Sequence, residues 1–203
     1  MLYVIPTITL AYLLGCFNTG YYLVRLRTGQ AIRTLISGNT GSRNVGRLLG
    51  TGGFIVTFIG DAGKGVATVW CVQHMGGGHL LATIALLAAT AGHIWPVQLG
   101  FRGGKGFATF AGGMIFLEPL VLLAGLTLCA VLYPVVRGTT RAGLITLAFS
   151  PIIMAIERLR DSAPLATPDF AFYCVLAGMV LFAHRPNIRK ECCTRGSDAA
   201  PGA

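Results

Sequence analysis

Charged residues are scarce in this chain, and two long stretches contain none. Asp, Glu, Lys and Arg make up 11% of the 203 residues, whereas soluble domains carry roughly 25%. None occurs from Met1 to Val24 or from Gly65 to Phe101. The second stretch, 37 residues long, exceeds the roughly 20 residues that cross a bilayer once. With a mean hydropathy of +0.69, the composition excludes an ordinary soluble domain and indicates an integral membrane protein.

Three other absences narrow the class of protein. The six cysteines show no Cys-x-x-Cys spacing, so we expect neither a metal site nor a disulfide framework. No basic residue precedes the first apolar segment, which therefore reads as a retained membrane span and not as a cleaved secretory signal. No internal repeat is evident. We predict one domain over residues 1–196 and a small polar tail, residues 197–203, that is disordered.

Seven apolar segments are predicted to form transmembrane helices, so the predicted fold class is an all-α integral membrane protein. Gly76–Gly78 separate the second segment from the third, and the fourth is short for a full crossing. The predicted spans are Leu2–Val24, Thr51–Val72, Leu80–Leu99, Phe107–Leu117, Leu120–Val136, Ala142–Ile156 and Phe170–Ala183.

The basic residues lie almost entirely on one side of this seven-span arrangement. A net charge of +9 can indicate nucleic-acid binding, but these residues occupy short loops between apolar segments, and we expect no nucleic acid. The other side receives only Arg158 and Arg160, so the positive-inside rule places the amino terminus outside and the carboxyl terminus in the cytoplasm. The thirteen residues of the basic side are Arg25, Arg27, Arg33, Arg43, Arg47, Arg102, Lys105, Arg137, Arg141, Arg185, Arg189, Lys190 and Arg195.

A glycine-rich polar motif follows the first predicted span. Glycines let successive backbone N–H groups face one concavity that suits phosphate oxygens, and arginine adds a fork that binds phosphate through two bonds. A loop that is merely basic explains the arginines but not the Ser-Gly-Asn-x-Gly-x-x-Asn spacing. The predicted phosphate-binding loop contains Ser37, Gly38, Asn39, Gly41, Asn44 and Arg47, supported by Arg43.

A second motif, Gly103-Gly104-Lys105-Gly106, opens the fourth predicted span. A lysine among glycines at a helix start combines backbone donors, the helix dipole and a cation, all of which favour an anion. The motif is not a P-loop, because no Ser or Thr follows Lys105. We predict phosphate contacts from the three glycines and a catalytic role for Lys105. A flexible turn carrying an orientation charge is the alternative.

A third motif follows the last predicted span. His184 and Asn187 would project from one face of a continuing helix, although Pro186 favours a kink or an end. His184 is the only histidine beside a polar loop motif, so it is the candidate base or transition-state donor. A local capping role is the alternative.

Asp61 and Lys64 form an ionisable pair inside the second predicted span. Isolated charges in a bilayer are costly, which makes such a pair a functional candidate. Alternatively, the two neutralise each other and hold the site together. His93, in Gly92-His93-Ile94-Trp95-Pro96, either binds substrate or hydrogen-bonds a neighbouring helix, and the structural role is favoured. We assign these three residues to support of the site.

Together the motifs resemble the bacterial acyl-phosphate:glycerol-3-phosphate acyltransferases, the PlsY family of integral membrane enzymes. The resemblance covers nearly the whole chain, and five blocks in order are specific where one alone is not. The blocks are Ser37-Gly38-Asn39-x-Gly41-x-x-Asn44 with Arg47 and Leu49-Gly50, Asp61-x-x-Lys64-Gly65, Gly92-His93-x-x-Pro96, Gly103-Gly104-Lys105-Gly106 with Ala108-Thr109, and His184-x-x-Asn187-Ile188.

The resemblance implies seven transmembrane helices in the bacterial inner membrane, with a cytoplasmic-side active site amid membrane lipids. It implies acyl transfer from acyl phosphate to the 1-hydroxyl of sn-glycerol 3-phosphate, giving lysophosphatidic acid and phosphate, without a metal or organic cofactor. The proton acceptor is either His184 or a phosphate oxygen of a substrate. Substrate-binding or catalytic positions of the family are matched by Ser37, Arg47, Lys105, His184 and Asn187, and its surrounding polar loop by Asn39 and Asn44.

The chain departs from the family pattern at four places. Ile36 replaces the glycine that usually precedes the serine, Ala31 replaces an acidic residue, and Ser42-Arg43 replaces Ala-Thr. The closing Gly-x-Glu would fall at Thr194 and Gly196, so both of its residues are missing. These departures predict altered substrate choice or reduced activity in a divergent paralogue.

Two other functions compete with the acyltransferase. A small-anion or proton-coupled transporter would use Asp61 and Lys64 at mid-membrane, but the polar motifs gather at one face and no inverted repeat is evident. A catalytically inactive paralogue would bind acyl phosphate or lipid without turning it over.

Overall fold

A computed structural model describes residues 3–188, and every regular element in that range is helical. Two 3-10 turns, Ile32–Thr34 and Val97–Leu99, accompany the helices. The predicted tail and the positions of the missing Gly-x-Glu lie outside the described residues. The α-helices are α1 Val4–Cys16, α2 Thr19–Thr28, α3 Ser42–His74, α4 His79–Ile94, α5 Phe107–Leu117, α6 Pro119–Val136, α7 Thr139–Arg160 and α8 Pro168–Ala183.

Four stretches of the described chain are long and apolar enough to cross a membrane. They are α3, α4 extended by its 3-10 turn, α6 and α7, while α5 and α8 are shorter apolar helices. Proline begins both α6 and α8, where its missing N–H costs no helical hydrogen bond. The all-helical membrane class is therefore confirmed, whereas the number of crossings and their orientation stay predictions.

The first predicted span is interrupted, which corrects the continuous helix expected over Leu2–Val24. Phe17 and Asn18 have extended backbone between α1 and α2. Asn18 is fully buried; its Nδ2 donates to Cys16 O at 3.1 Å and its Oδ1 accepts from Thr40 Oγ1 at 2.7 Å. Asparagine competes with the helical backbone through such bonds, which favours a break at this position. The bond to Thr40 connects the break to the first loop.

A second interruption lies inside α3, at Gly50, whose φ of 72° and ψ of −168° are not helical. Glycine adopts this backbone without the steric cost that a Cβ imposes. The predicted second span began at Thr51, directly after this residue. The preceding segment, residues 42–49, carries Arg43 and Arg47 at a separate angle from the apolar part of the helix.

Glycines bring the helices that carry the motifs into backbone contact. A Cβ at Gly15 of α1 would lie 2.0 Å from Ala89 O of α4, and one at Gly65 of α3 would lie 2.0 Å from Thr109 O of α5. Small residues permit such close packing where lipid supplies no hydrophobic driving force between helices. The core around these contacts contains Leu86, Met114, Tyr173, Leu176 and Val180, all fully or almost fully buried.

Polar side chains are divided between the two ends of the helix bundle. At the end where α4 begins, His79 Nε2 lies 3.1 Å from Glu118 Oε1 and His79 Nδ1 lies 3.4 Å from Asp169 Oδ2. Arg158 pairs with the same Asp169. The three glycine-rich and basic motifs lie at the other end, where α4 terminates at Ile94 and α8 terminates at Ala183.

Candidate active site

The first loop is held by its own asparagines. Asn44, in the first turn of α3, accepts from Ser37 N at 3.4 Å and donates through Nδ2 to Asn39 O at 2.9 Å. Asn39 Oδ1 accepts from Gly41 N at 2.7 Å. Both asparagines of the motif therefore shape the loop, a role that their Ser-Gly-Asn-x-Gly-x-x-Asn spacing did not reveal.

The turn around Ser37 has left-handed backbone on both sides of that residue. Gly38 has a φ of +66° and Ile36 a φ of +48°. The left-handed region suits glycine but crowds the Cβ of any other residue, most of all a β-branched one. This backbone explains in physical terms why a glycine is the expected residue at position 36.

Arg43 and Arg47 lie one helical turn apart at the start of α3. They line an open depression of about 340 Å³ together with Gly46, Thr51 and Phe54. Both arginines and Ser37 are exposed, so their polar groups can meet a soluble anion. An apolar ring beside two guanidinium groups suits a phosphate that carries an alkyl or acyl tail.

The second loop lies against the end of α4. Gly103 N donates to Ile94 O at 2.9 Å and Gly104 N donates to His93 O at 3.0 Å. Because these N–H groups already bind carbonyls, the geometry does not support the expected phosphate contacts through them. Gly106, with a φ of +81°, caps the start of α5. The cation Lys105 therefore remains the part of this loop best suited to an anion.

Lys105 meets the third motif. Its Nζ donates to Asn187 Oδ1 across 82 positions of sequence, and its charge also acts on His184. Asn187 N donates to His184 O at 2.8 Å, so the chain turns directly after α8. Helix α8 ends at Ala183, and residues 185–188 are helical again after the interruption at His184, which matches the kink that was one of the two effects expected of Pro186.

His184 is held as a neutral imidazole with a defined tautomer. Its Nδ1 lies 2.8 Å from Val180 O, and a carbonyl only accepts, so Nδ1 carries the hydrogen and Nε2 keeps the lone pair. Burial lowers the pKa of His184 below its usual 6.5; the hydrogen bond to Val180 O partly opposes this, and the Lys105 charge adds a smaller lowering effect. Near neutral pH Nε2 can therefore accept a proton or a hydrogen bond.

Arg33 links the first loop to the second, which sequence reasoning missed. Its guanidinium donates to Leu99 O and, at 3.0 Å, to Arg102 O. In the sequence it is only one of thirteen basic residues. The buried neighbour Ile32 gave no signal that the next side chain would turn toward another loop.

Asp61, Lys64 and His93, here called the buried triad, lie beneath these loops. Each residue is at most 5% exposed. Lys64 Nζ lies 2.7 Å from His93 Nδ1 and 3.4 Å from Asp61 Oδ1, and it donates to Gly15 O and Phe17 O at 2.9 and 2.8 Å. The expectation that His93 hydrogen-bonds a neighbouring helix is confirmed, and the ion pair has the internal partners that its structural alternative requires.

The predicted site residues thus fall into two connected groups. Lys105 binds the Asn187 side chain, and Asn187 N binds His184 O, whereas Ser37, Arg43 and Arg47 lie on the exposed flank of the first loop. The groups are joined through Arg33 and, from below, through the buried triad. Within residues 3–188, no three His, Cys, Asp or Glu side chains are grouped so that they could hold a metal ion.

Comparisons with known proteins identify the family to which the chain belongs. A family model described as glycerol-3-phosphate acyltransferase matches residues 5–193. Glycerol-3-phosphate acyltransferase 1 of Desulfitobacterium hafniense (strain Y51) is 40% identical over 182 residues, which are 89% of this chain and 86% of that protein. The glycerol-3-phosphate acyltransferase of Rubrobacter xylanophilus is 39% identical over 183 residues, covering 90% and 88% of the two chains.

Solved structures show the same fold. The crystal structure of PlsY, an integral membrane glycerol 3-phosphate acyltransferase, matches in its glycerol 3-phosphate form with a TM-score of 0.83 and 26% identity. That match covers 95% of this chain and 93% of the other. Its lysophosphatidic acid form matches with a TM-score of 0.80 and 25% identity over the same shares. The chain therefore belongs to the glycerol-3-phosphate acyltransferase family.

Proposed function

We propose that this enzyme transfers a fatty acyl group from acyl phosphate to the 1-hydroxyl of sn-glycerol 3-phosphate. The products are lysophosphatidic acid and inorganic phosphate, and the reaction serves phospholipid biosynthesis. One observation carries the proposal: Lys105, Asn187 and a neutral His184 converge at the basic end of the bundle. A cation, an amide and a proton acceptor are the groups that acyl transfer between two phosphate-bearing substrates needs.

In the proposed reaction, the hydroxyl oxygen attacks the acyl carbonyl carbon and the carbon–oxygen bond to phosphate breaks. The hydroxyl proton passes to His184 Nε2 or to a phosphate oxygen, and phosphate leaves with the bond's electron pair. Lys105 stabilises the charge that develops on the leaving phosphate, and Arg47 holds the phosphate of the other substrate. Because acyl phosphate has a good leaving group, alignment and charge stabilisation supply most of the acceleration.

Asn39, Asn44 and the loop glycines have a positioning role in this scheme, and Ser37 is proposed as a catalytic residue. The asparagines hold the turn that presents Ser37 at the surface. Ser37 then offers its hydroxyl to a substrate phosphate. Gly38 and Gly41 shape the turn, because their N–H groups donate to Leu35 O and Asn39 Oδ1; the phosphate contacts expected from these two N–H groups are therefore not part of the proposal.

We further propose seven crossings of the bacterial inner membrane, with the amino terminus outside and the active site at the cytoplasmic face. In this arrangement α1 and α2 form one crossing interrupted at Phe17 and Asn18. Support comes from the division of charge between the basic end and the end with Glu118 and Asp169, which follows the positive-inside rule. The acyl chain lies between helices, open to the lipid.

The donor is tested with purified protein, palmitoyl phosphate and radiolabelled glycerol 3-phosphate. We expect labelled lysophosphatidic acid from the parent protein and loss of about 100-fold or more in rate for Lys105→Ala and Arg47→Ala, since each removes a charge-stabilising contact. Product from palmitoyl-CoA but not from palmitoyl phosphate would reject the proposed donor.

The transporter alternative is not favoured. Lys64 donates to three acceptors inside the protein, and Asp61 lies between Lys64 and Thr19 N. A carrier requires such groups to face its cargo in turn. Accumulation of labelled anion in proteoliposomes, without lysophosphatidic acid, is the result that would restore this alternative; neither product nor accumulation would identify an inactive paralogue.

A further inference from the structure

Lys64, the cation of the buried triad, makes all of its possible hydrogen bonds inside the protein. A lysine ammonium has three hydrogens and no lone pair, and Lys64 Nζ has three acceptors at 2.7 to 2.9 Å, namely Gly15 O, Phe17 O and His93 Nδ1. Asp61 Oδ1 balances the charge at 3.4 Å. Because every hydrogen bond of the Lys64 ammonium is made in a site excluded from solvent, this group has one orientation and resists displacement.

The lysine also determines the tautomer of His93. Because the ammonium only donates, His93 Nδ1 accepts and Nε2 carries the ring hydrogen. The imidazole is thereby fixed in its plane, with the Nε2 edge directed away from Lys64. The ring becomes a rigid surface instead of a side chain that rotates.

The second loop rests on this surface. A Cβ at Gly104 would lie 2.0 Å from His93 Nε2 and 2.7 Å from Cε1, and a Cβ at Gly103 would lie 2.1 Å from His93 O. The N–H groups of the same glycines bind the carbonyls of Ile94 and His93. Lys105 is the next residue, so its backbone position follows from where the His93 ring lies.

The opposite side of the triad contacts the break between α1 and α2, and this break binds the first loop. Lys64 binds both carbonyls that flank Cys16, and Thr19 N lies 3.4 Å from Asp61 Oδ1. Asn18, in the same break, binds Thr40 at 2.7 Å. The triad therefore contacts the break between α1 and α2, which holds the first loop, and Gly104 in the second loop. These two segments are far apart in sequence.

We propose that the buried triad is the positioning element that sets Lys105 against the first loop, with Lys64 acting through His93 and Gly104. This inference rests on the proposed function, because it assigns Lys105 to the transferring phosphate. Without the triad the two loops still fold but lose their mutual alignment. A displacement of about 1 Å between reacting groups is enough to cost about 100-fold in rate.

The first test replaces both charges together. Removing Lys64 alone would leave Asp61 buried without its partner and could unfold the protein, so Asp61→Asn is combined with Lys64→Met. We expect kcat/KM for glycerol 3-phosphate to fall by about 100-fold, mostly in kcat, in a variant that stays folded at the assay temperature, although the three acceptors left without a donor lower its melting temperature. The matched control removes an ion pair at the opposite end, Arg158→Met with Asp169→Asn, and keeps parental kcat and KM.

The second test is a double-mutant cycle that remains informative if the first variant fails to fold. Gly104 has no positive φ, so Gly104→Ala meets chiefly the His93 ring. His93→Asn retains an acceptor for Lys64 but shortens the side chain below Gly104. We expect Gly104→Ala to cost at least tenfold in kcat in the parent and at least threefold less in the His93→Asn background, since the clash is relieved.

The outcomes separate the two proposals. A parent protein that makes no lysophosphatidic acid from palmitoyl phosphate contradicts the proposed function. An active parent whose folded Asp61→Asn/Lys64→Met variant keeps kcat within threefold overturns the positioning role, as do independent effects of Gly104→Ala and His93→Asn. Loss of kcat in a variant that is folded at the assay temperature, together with coupling in the cycle, supports it.

Discussion

Ile36 is strained where it stands. Its φ of +48° lies in the left-handed region, which costs a non-glycine residue roughly 1–2 kcal/mol. Because its side chain is 64% exposed, hydrophobic burial offsets little of this cost. The neighbouring Ser37 and Gly38 belong to the first loop of the site. The strain therefore falls on the turn for which we propose a substrate contact.

We expect Ile36→Gly to stabilise the protein by about 0.5–1 kcal/mol, because relief of left-handed strain exceeds the entropy that glycine adds to the unfolded chain. The measurement is the melting temperature in detergent, with Ile36→Val as the control that keeps a β-branched side chain. A melting temperature that falls in Ile36→Gly, or rises equally in both variants, contradicts this account of the turn.

His184 makes a pH-dependent prediction with a defined sign. Its pKa is lowered by burial and by Lys105, so the neutral base persists below pH 6.5 and its proton-accepting form is lost only as the pH falls through that lower pKa. Hydrogen–deuterium exchange at the imidazole C2, followed by mass spectrometry, reports this pKa directly. We expect a midpoint below 6.5 in the parent and a higher one in Lys105→Met. A midpoint at or above 6.5 in the parent would remove the case for a neutral His184.

At the scale of elements, helix ends follow local chemistry but helix breaks do not. The glycines at positions 76 to 78 mark a boundary that the sequence predicts and the structure has, and α6 and α8 begin at Pro119 and Pro168, within two residues of the predicted starts Leu120 and Phe170. The break at Phe17 and Asn18 depends on Thr40 and Lys64, which lie 22 and 47 positions away from their partners. A window of apolar sequence carries no signal for contacts of that range, so a single continuous span was predicted there.

Close packing of α3 against α5 gives an element-scale prediction with a control on the same helix. A Cβ at Gly65 would lie 2.0 Å from the backbone oxygen of Thr109, whereas a Cβ at Gly63 would meet nothing within 4 Å. Gly65→Ala must push the two backbones apart and is expected to lower stability by about 2 kcal/mol or more. Gly63→Ala should be neutral or stabilising by up to about 1 kcal/mol through helix propensity.

Thermal unfolding in detergent compares the two alanine variants with the parent. Since Gly65 follows Lys64 directly, the lysophosphatidic acid assay is expected to show lower activity for Gly65→Ala as well. Equal melting temperatures for the two variants would show that the helices are not in backbone contact at this point.

At the scale of the whole molecule, the grouping of motif residues was more predictable than their individual contacts. The one-sided distribution of basic residues and the five ordered blocks predicted that the Lys105 and His184 motifs share one end, and Lys105 does meet Asn187. The hydrogen bonds that Gly103 N and Gly104 N donate to the carbonyls of Ile94 and His93 were not predictable. They depend on the path that the chain takes after α4, which no spacing rule specifies.

The proposed orientation of the molecule is tested by cysteine labelling in intact cells. In a background without the six native cysteines, Ala166→Cys reports on the acidic end and Gln30→Cys on the basic end, both at exposed positions. A membrane-impermeant maleimide should label Ala166→Cys directly and Gln30→Cys only after permeabilisation. The reverse pattern would place the active site outside the cytoplasm.

The central claim is that Lys105, Asn187 and His184 act together on an acyl phosphate. The most direct measurement is the rate of lysophosphatidic acid formation from palmitoyl phosphate and glycerol 3-phosphate by the parent, Lys105→Met, Asn187→Ala and the double variant. The account predicts an active parent, a loss of about 100-fold or more for each single variant, and little further loss when the two are combined, since the residues act as one unit. A parent without activity, or a double variant whose loss is the product of the two single losses, would contradict it.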